Sequence, residues 1–153
     1  MRRQAALAIL LYGVLFFSGC GDTPRAPFDA TVTGPDDADF KVNPPGGGTQ
    51  IVQALDFQVH DKDATMALPG VEVEMFAGGG GILTDLDGNP LDANTPSYFK
   101  TKTDARGLAR ASFLIALPAC SATEDLVITG TVSASAGGGS KLWTGTFTVT
   151  KCS

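Results

Sequence analysis

Several residue types on which chemistry usually rests are scarce in this chain. Its 153 residues include one histidine, one tryptophan and three cysteines. A single imidazole, His60, leaves no second histidine for a metal centre and would have to serve any serine triad. Neither Ser121 nor Ser140 lies in a Gly-x-Ser-x-Gly elbow. The glycine runs at 78–81 and 137–139 are not followed by Gly-Lys-Ser/Thr, which argues against a P-loop. Basic residues number 11 against 16 acidic ones, a balance that disfavours nucleic acid as a partner. No segment places apolar residues at helical spacing, so the crossover helices of a parallel α/β sheet are missing. Glu72 and Glu74 share one strand face about 7 Å apart, but nothing around them supplies the cleft a glycosidase pair needs. These absences point to a chain that is not an enzyme and needs no cofactor.

What is present begins with a leader. Arg2 and Arg3 precede the charge-free run Ala5 to Phe17, and Ser18, Gly19 and Cys20 follow. Basic residues, an apolar stretch and then small residues make up the pattern of a secretory signal. The run is about half to two-thirds of the roughly 20 residues that cross a bilayer. Phe17-Ser18-Gly19-Cys20 resembles the bacterial lipobox, in which the cysteine is lipidated and becomes the new N-terminus. The resemblance implies a signal peptide over 1–19, lipidation at Cys20 and a lipoprotein held firmly by several acyl chains. Ordinary secretion with a free Cys20 and a retained helix are the alternatives. Gly21 directly after the cysteine, with Asp22 one later, implies the outer membrane, on its periplasmic or cell-surface side.

Without residues 1–19, all 16 acidic residues remain and the net charge becomes about −7, which keeps the module soluble. Residues 20–48 are rich in Pro, Asp and Gly and read as a lipidated N-terminus and tether. Stretched out, such a tether reaches roughly 80 to 90 Å. Ala30–Val32 and Phe40–Val42 have strand character, so part of it could instead lie against the domain. With Cys20 consumed by lipid, Cys120 and Cys152 form an even pair in an exported chain, which suggests a disulfide. Two free thiols and an intermolecular bridge are the competing states. Closing a loop of 32 residues is worth about 4 kcal/mol in the chain-entropy model.

Residues 49–153 read as all-β. Leu55, Phe57 and Val59 alternate with Asp56, Gln58 and His60, and Val71, Val73 and Met75 alternate with Glu72, Glu74 and Phe76. Further strands are expected over Tyr98–Thr103, Leu108–Leu117, Leu126–Ala136 and Leu142–Lys151. In the last of these, Trp143, Phe147 and Val149 share an inward side. Short strands separated by turn signals favour a two-sheet β-sandwich.

Specific phrases then suggest a family. Val59-His60-Asp61, Pro69-Gly70-Val71-Glu72-Val73, the Gly78–Gly81 loop and Thr103-Asp104-Ala105-Arg106-Gly107-Leu108-Ala109 occur in order. This series resembles the bacterial immunoglobulin-like domains of the invasin and intimin type, over about residues 50–150. The resemblance implies an immunoglobulin-like sandwich and a role in adhesion or protein–protein interaction. Such domains commonly stand in tandem, whereas one copy is present here, with an insertion over Ile82–Pro96.

That insertion, ILTDLDGNPLDANTP, is the expected binding loop, because loops on a rigid sandwich carry most contacts. Its candidate residues are Asp85, Asp87, Asn89 and Asp92, joined by Tyr98 and Phe99 at the start of the next strand. No metal site is expected. Asp85 and Asp87 leave a calcium alternative open, with hard oxygens but without EF-hand spacing, and Gly88-Asn89 equally suits a turn. The functional expectation is a lipid-anchored module docking onto an envelope or extracellular protein through loops or a strand edge. A carbohydrate-binding or adhesive surface using Tyr98 and Phe99 is the alternative, and a flat aromatic row would favour it.

Overall fold

Alternating apolar and polar residues give each long strand of this chain one dry face and one wet face. The computed structural model describes residues 24–43 and 47–152. Its strands are β1 (Thr31–Thr33), β2 (Ala38–Val42), β3 (Thr49–His60), β4 (Glu72–Gly78), β5 (Ile82–Thr84), β6 (Tyr98–Lys102), β7 (Leu108–Leu117), β8 (Leu126–Ala136) and β9 (Gly139–Val149). They form two sheets in the orders β1-β3-β7-β5 and β2-β9-β8-β4-β6, an all-β two-sheet sandwich. Every neighbouring pair is antiparallel except β2 and β9.

The dry faces meet in one core that includes Leu55, Phe57 and Phe113 from one sheet and Val73, Met75, Trp143 and Phe147 from the other. Phe113 is its hinge piece. Its ring stands edge-on to Trp143 at 5.5 Å and lies 6.3 Å from Phe147. Space for these rings comes from Gly130 and Gly145, paired across β8 and β9. A Cβ on Gly145 would sit 2.6 Å from the Trp143 ring, and one on Gly130 would run into Phe113. Such missing side chains weaken a strand alone, but Gly130 admits a ring from the facing sheet and Gly145 makes room for the Trp143 and Phe147 rings of its own strand.

Three details differ from the sequence reading. The stretch read as a tether contributes β1 and β2, which pair with β3 and β9, so the sandwich begins ahead of residue 49. Apolar Val32 and Phe40 explain this: Val32 is buried, and Phe40 stacks on Phe147 at 4.8 Å. The insertion over Ile82–Pro96 is not wholly loop, since its first three residues are β5, paired with Leu114, Phe113 and Ser112 of β7. Finally, β9 starts at Gly139, because the turn closes at Gly137-Gly138.

A departure in connectivity follows from β5. A variable-type immunoglobulin sandwich adds its extra strands to the sheet that holds strand C. Here the chain passes from β4 to β5 in the opposite sheet before returning as β6 beside β4. At the other end, Cys120 and Cys152 are joined, with Cα atoms 5.2 Å apart. The Cys152 amide donates to Ser121 O at 2.8 Å and the Lys151 amide to Asp125 Oδ1 at 2.8 Å, so the chain end is held to the segment between β7 and β8. The leader and Cys20 lie outside the described residues.

Candidate functional site

The expected binding loop is built by its own carboxylates. Asp85 Oδ1 accepts from the amides of Asp87 and Asn89, both at 2.9 Å, and Asp85 Oδ2 accepts from Asn89 Nδ2 at 3.1 Å. Gly88 supplies the positive φ, 85°, that this turn requires. Asp92 makes a second turn, accepting from the Asn94 amide at 2.8 Å and the Thr95 hydroxyl at 2.7 Å. The Asn89 side chain first and then backbone amides hold the Asp85 carboxyl below its ordinary range; for Asp92 the Thr95 hydroxyl leads. Asp61 and Asp104 cap turns in the same way. Carboxylate oxygens engaged by turn donors are not splayed toward a cation. Among the described residues no three His, Cys, Asp or Glu side chains gather as ligands. Asp85 and Asn89 come together, Asp87 stands exposed on the turn, and Asp92 serves the neighbouring one.

Backbone bonds fold this loop back along β5. The Leu91 amide donates to Leu83 O at 3.0 Å, the Leu83 amide to Pro96 O at 2.7 Å, and Thr84 forms a bridge with Pro90. The turn then lies over the outer face of the four-stranded sheet, where a Cβ on Gly88 would be 3.6 Å from Leu114 Cδ1.

The aromatic pair divides. Tyr98 lies opposite Phe76 and Phe99 opposite Met75, so the first faces out and the second packs against the core. Phe76 is 50% exposed, and its ring sits 4.7 Å from Tyr98 at a tilt of 44°. With Trp143 buried, this is a tilted two-ring patch and not a flat row. Beside it, Lys100 Nζ bridges Glu72 at 2.8 Å and Glu74 at 3.0 Å. The hydrogen bond from Lys100 chiefly lowers the Glu72 pKa, the reverse of the shift a general acid requires.

Sequence reasoning did not locate a long unpaired flank of β3 among the described residues. On one side β3 pairs with β7 from Thr49 to Gln58. On the other, β1 covers only 58–60, leaving 49–57 without a strand partner among the described residues. The Val59 amide donates to Gly107 O at 2.9 Å on the β7 side. Antiparallel alternation therefore turns the backbone groups of Gln50, Val52, Ala54 and Asp56 toward the open side. Thr49–Phe57 contains neither Lys nor Pro, the residues that usually blunt an edge. The signal available in the sequence was a length mismatch, a long strand following a run of only three strand-like residues.

Neither a protein-family model nor a curated protein matches the chain. Two solved structures are similar to it in part. One is the Vibrio cholerae VesB protease, with 14% identity and a TM-score of 0.40, over 79% of this chain and 32% of that one. The chain thus spans about a third of that protease's length. The other is BslA, a bacterial hydrophobin, with 14% identity and a TM-score of 0.39, over 85% of this chain and 98% of that one. Neither is of the invasin or intimin type.

Proposed function

We propose that this protein is a non-enzymatic, lipid-anchored envelope or cell-surface module that docks onto another protein by pairing an extended partner segment with the open edge of β3. One observation carries the reading: residues 49–57 of a long strand lack a neighbour on one side among the described residues and contain neither Lys nor Pro. An added strand gains main-chain hydrogen bonds along that edge, and alternate side chains supply the specificity. Val52, 45% exposed, continues a partly apolar row through Leu114 and Ile82 that would flank such a strand. The lipobox-like Phe17–Cys20 supports the anchor, and the invasin-type phrases support an immunoglobulin-like adhesive role.

The test is a photo-crosslinker at Gln50 in intact envelopes, with the same group at Thr146 on the other sheet as control. A single stoichiometric protein captured from position 50 alone is the expected result. Val52→Pro, which removes an amide that β7 does not use, should abolish that capture while the protein stays folded. Capture unchanged by Val52→Pro, or equal from both positions, would defeat the reading. Recovery of polysaccharide alone would favour a carbohydrate-binding surface, for which the exposed Phe76–Tyr98 pair is the supporting feature. For the anchor, Cys20→Ser should move the protein from the membrane to the soluble fraction.

A further inference from the structure

Beyond docking at an edge, the outer face of the four-stranded sheet holds a cavity with its own unmet chemistry. Ala54 of β3, Ser112 of β7 and Thr84 of β5 form one transverse row on that face. An outward-facing row on a sandwich is ordinarily wet. Here Thr84 and Ser112 are fully buried, because the loop that follows β5 folds over them. Among the described residues neither Thr84 Oγ1 nor Ser112 Oγ has a hydrogen-bond partner. Two orphaned hydroxyls side by side are unusual, since leaving a buried polar group unpaired costs about 1 to 3 kcal/mol.

Both residues line a cavity of about 390 Å³, walled by Leu86 and Leu91 and bounded by Asp56 and Arg110. That volume is in the range of small-molecule sites, and the combination of apolar walls with a few convergent polar groups is typical of them. The lid is preorganised by the Asp85 turn, and Leu86 at its tip is 81% exposed, a large apolar side chain with no core to cover. The charged groups around the cavity restrict its occupant. Asp56, Asp85 and Asp87 outnumber Arg110, whose guanidinium also contacts Asp56 at 3.4 Å and Asp104 at 3.5 Å. An anion would meet net negative charge.

We propose that this cavity is a binding site for a small neutral molecule with an apolar body and one hydroxyl or carbonyl group, which displaces the covering loop enough to reach the Thr84 and Ser112 hydroxyls shut beneath it. A ligand carbonyl accepts from both hydroxyls; a ligand hydroxyl donates to one and accepts from the other. The apolar body replaces solvent against Leu86 and Leu91. The site shares Ala54 and Asp56 with β3 but uses their side chains on the sheet face, whereas the docking edge uses backbone groups in the sheet plane.

Cyclohexanol and cyclohexanone serve as probes, with cyclohexanecarboxylate as the charged control, titrated into the full sandwich and followed by amide NMR shifts. The expected result is saturable shifts confined to 84–91 and 110–112 for the two neutral probes, with the carboxylate at least tenfold weaker. Thr84→Val combined with Ser112→Ala removes both orphans without adding bulk, so the variant should fold at least as well as the parent. It should bind cyclohexanol on the order of tenfold more weakly, the loss of about 1.4 kcal/mol that one hydrogen bond represents. No shifts at millimolar probe, shifts that persist in the double variant, or a long-lived water at both hydroxyls that no probe displaces would overturn the proposal. Val52→Pro should leave probe binding intact, which separates this site from the edge.

Discussion

The two sheets share one core and differ in how their outer faces and edges are finished. On the five-stranded sheet, β8 and β9 pair along their whole length, and Thr129, Thr131, Thr144 and Thr146 face out with the Lys100–Glu72–Glu74 cluster. Water satisfies these groups, although Phe76, Val127 and Leu142 are exposed on the same face. The four-stranded sheet is flanked by two strands of three residues, β1 and β5, against inner strands of twelve and ten. Its outside carries Val52, Leu114 and Ile82, an open backbone edge and an open cleft beside two buried hydroxyls that have no partner among the described residues. The comparison teaches that the sheets differ in degree of completion: β2 covers β9 over Gly145–Val149 and leaves Gly139–Thr144 without a strand partner among the described residues, a shorter gap than the one along β3.

The comparison assumes that both faces belong to one body, and the largest expected effect tests that assumption. Phe113 rises from the four-stranded sheet into the space left by Gly130 of the other. Phe113→Ala should cost about 3 to 5 kcal/mol, read as a lower urea midpoint, with probes on both faces unfolding together. Separate transitions would show two independently stable layers and end the comparison. Next in size is the clamp between Cys120 and Cys152. Replacing both with Ser should cost about 3 to 4 kcal/mol by chemical denaturation, for a closed loop of 32 residues.

Much of this architecture was legible before any coordinates. Period-two runs placed β3, β4, β6, β7 and β8, and the shared parity of Trp143, Phe147 and Val149 placed them inside. What escaped was short or decided by pairing. Ile82-Leu83-Thr84 offers three residues, too few for a period, and becomes a strand only because β7 presents a partner. Thr31–Thr33 and Ala38–Val42 were foreshadowed by the strand character of Ala30–Val32 and Phe40–Val42, and what escaped was their pairing with β3 and β9, which draws the supposed tether into the sandwich. For the site, the identities of Asp85, Asn89 and Asp92 were visible, and their turn-building role was one of the two readings open. The bare edge and the orphaned Thr84 and Ser112 were not visible, because both depend on which strands become neighbours. Tyr98 and Phe99, taken together as candidates, separate for the elementary reason that adjacent strand residues face opposite ways.

A proline scan sharpens the contrast between finished and unfinished ladders. Val52→Pro removes an amide directed at open space and should cost less than about 1 kcal/mol. In the centre of the other sheet, Val132→Pro should cost about 3 kcal/mol or more, since β8 is flanked by β4 and β9 and Val132 is fully buried. Thermal or urea midpoints separate the two. Equal losses would mean that the β3 edge is already occupied within the chain.

The smallest effects come from charge: both faces should weaken in acid, and the Lys100 cluster should respond to base as well. The Asp85 and Asp92 carboxyls lie below the ordinary aspartate value of 3.8 in the folded loop. A group depressed on folding contributes stability that is complete above its unfolded pKa and is lost as pH falls through the folded one. The loop should therefore be unchanged from neutral pH down to about 4 and then lose amide protection at Asp87, Asn89 and Asn94. On the five-stranded sheet Glu72 is lowered too, chiefly by its hydrogen bond with Lys100, so that cluster also weakens in acid. Lys100 is raised from its ordinary 10.5 by the hydrogen bonds to Glu72 and then Glu74. Its contribution is complete below the ordinary lysine range and is lost only as pH rises through the raised value. Hydrogen exchange under strongly alkaline conditions is too fast to follow, so lysine side-chain carbon shifts provide the readout there. Base should perturb Lys100 and leave the Asp85 turn intact, whereas acid should loosen both. An Asp85 turn that opens in base would place a titrating cation within the loop, contrary to its all-amide set of donors.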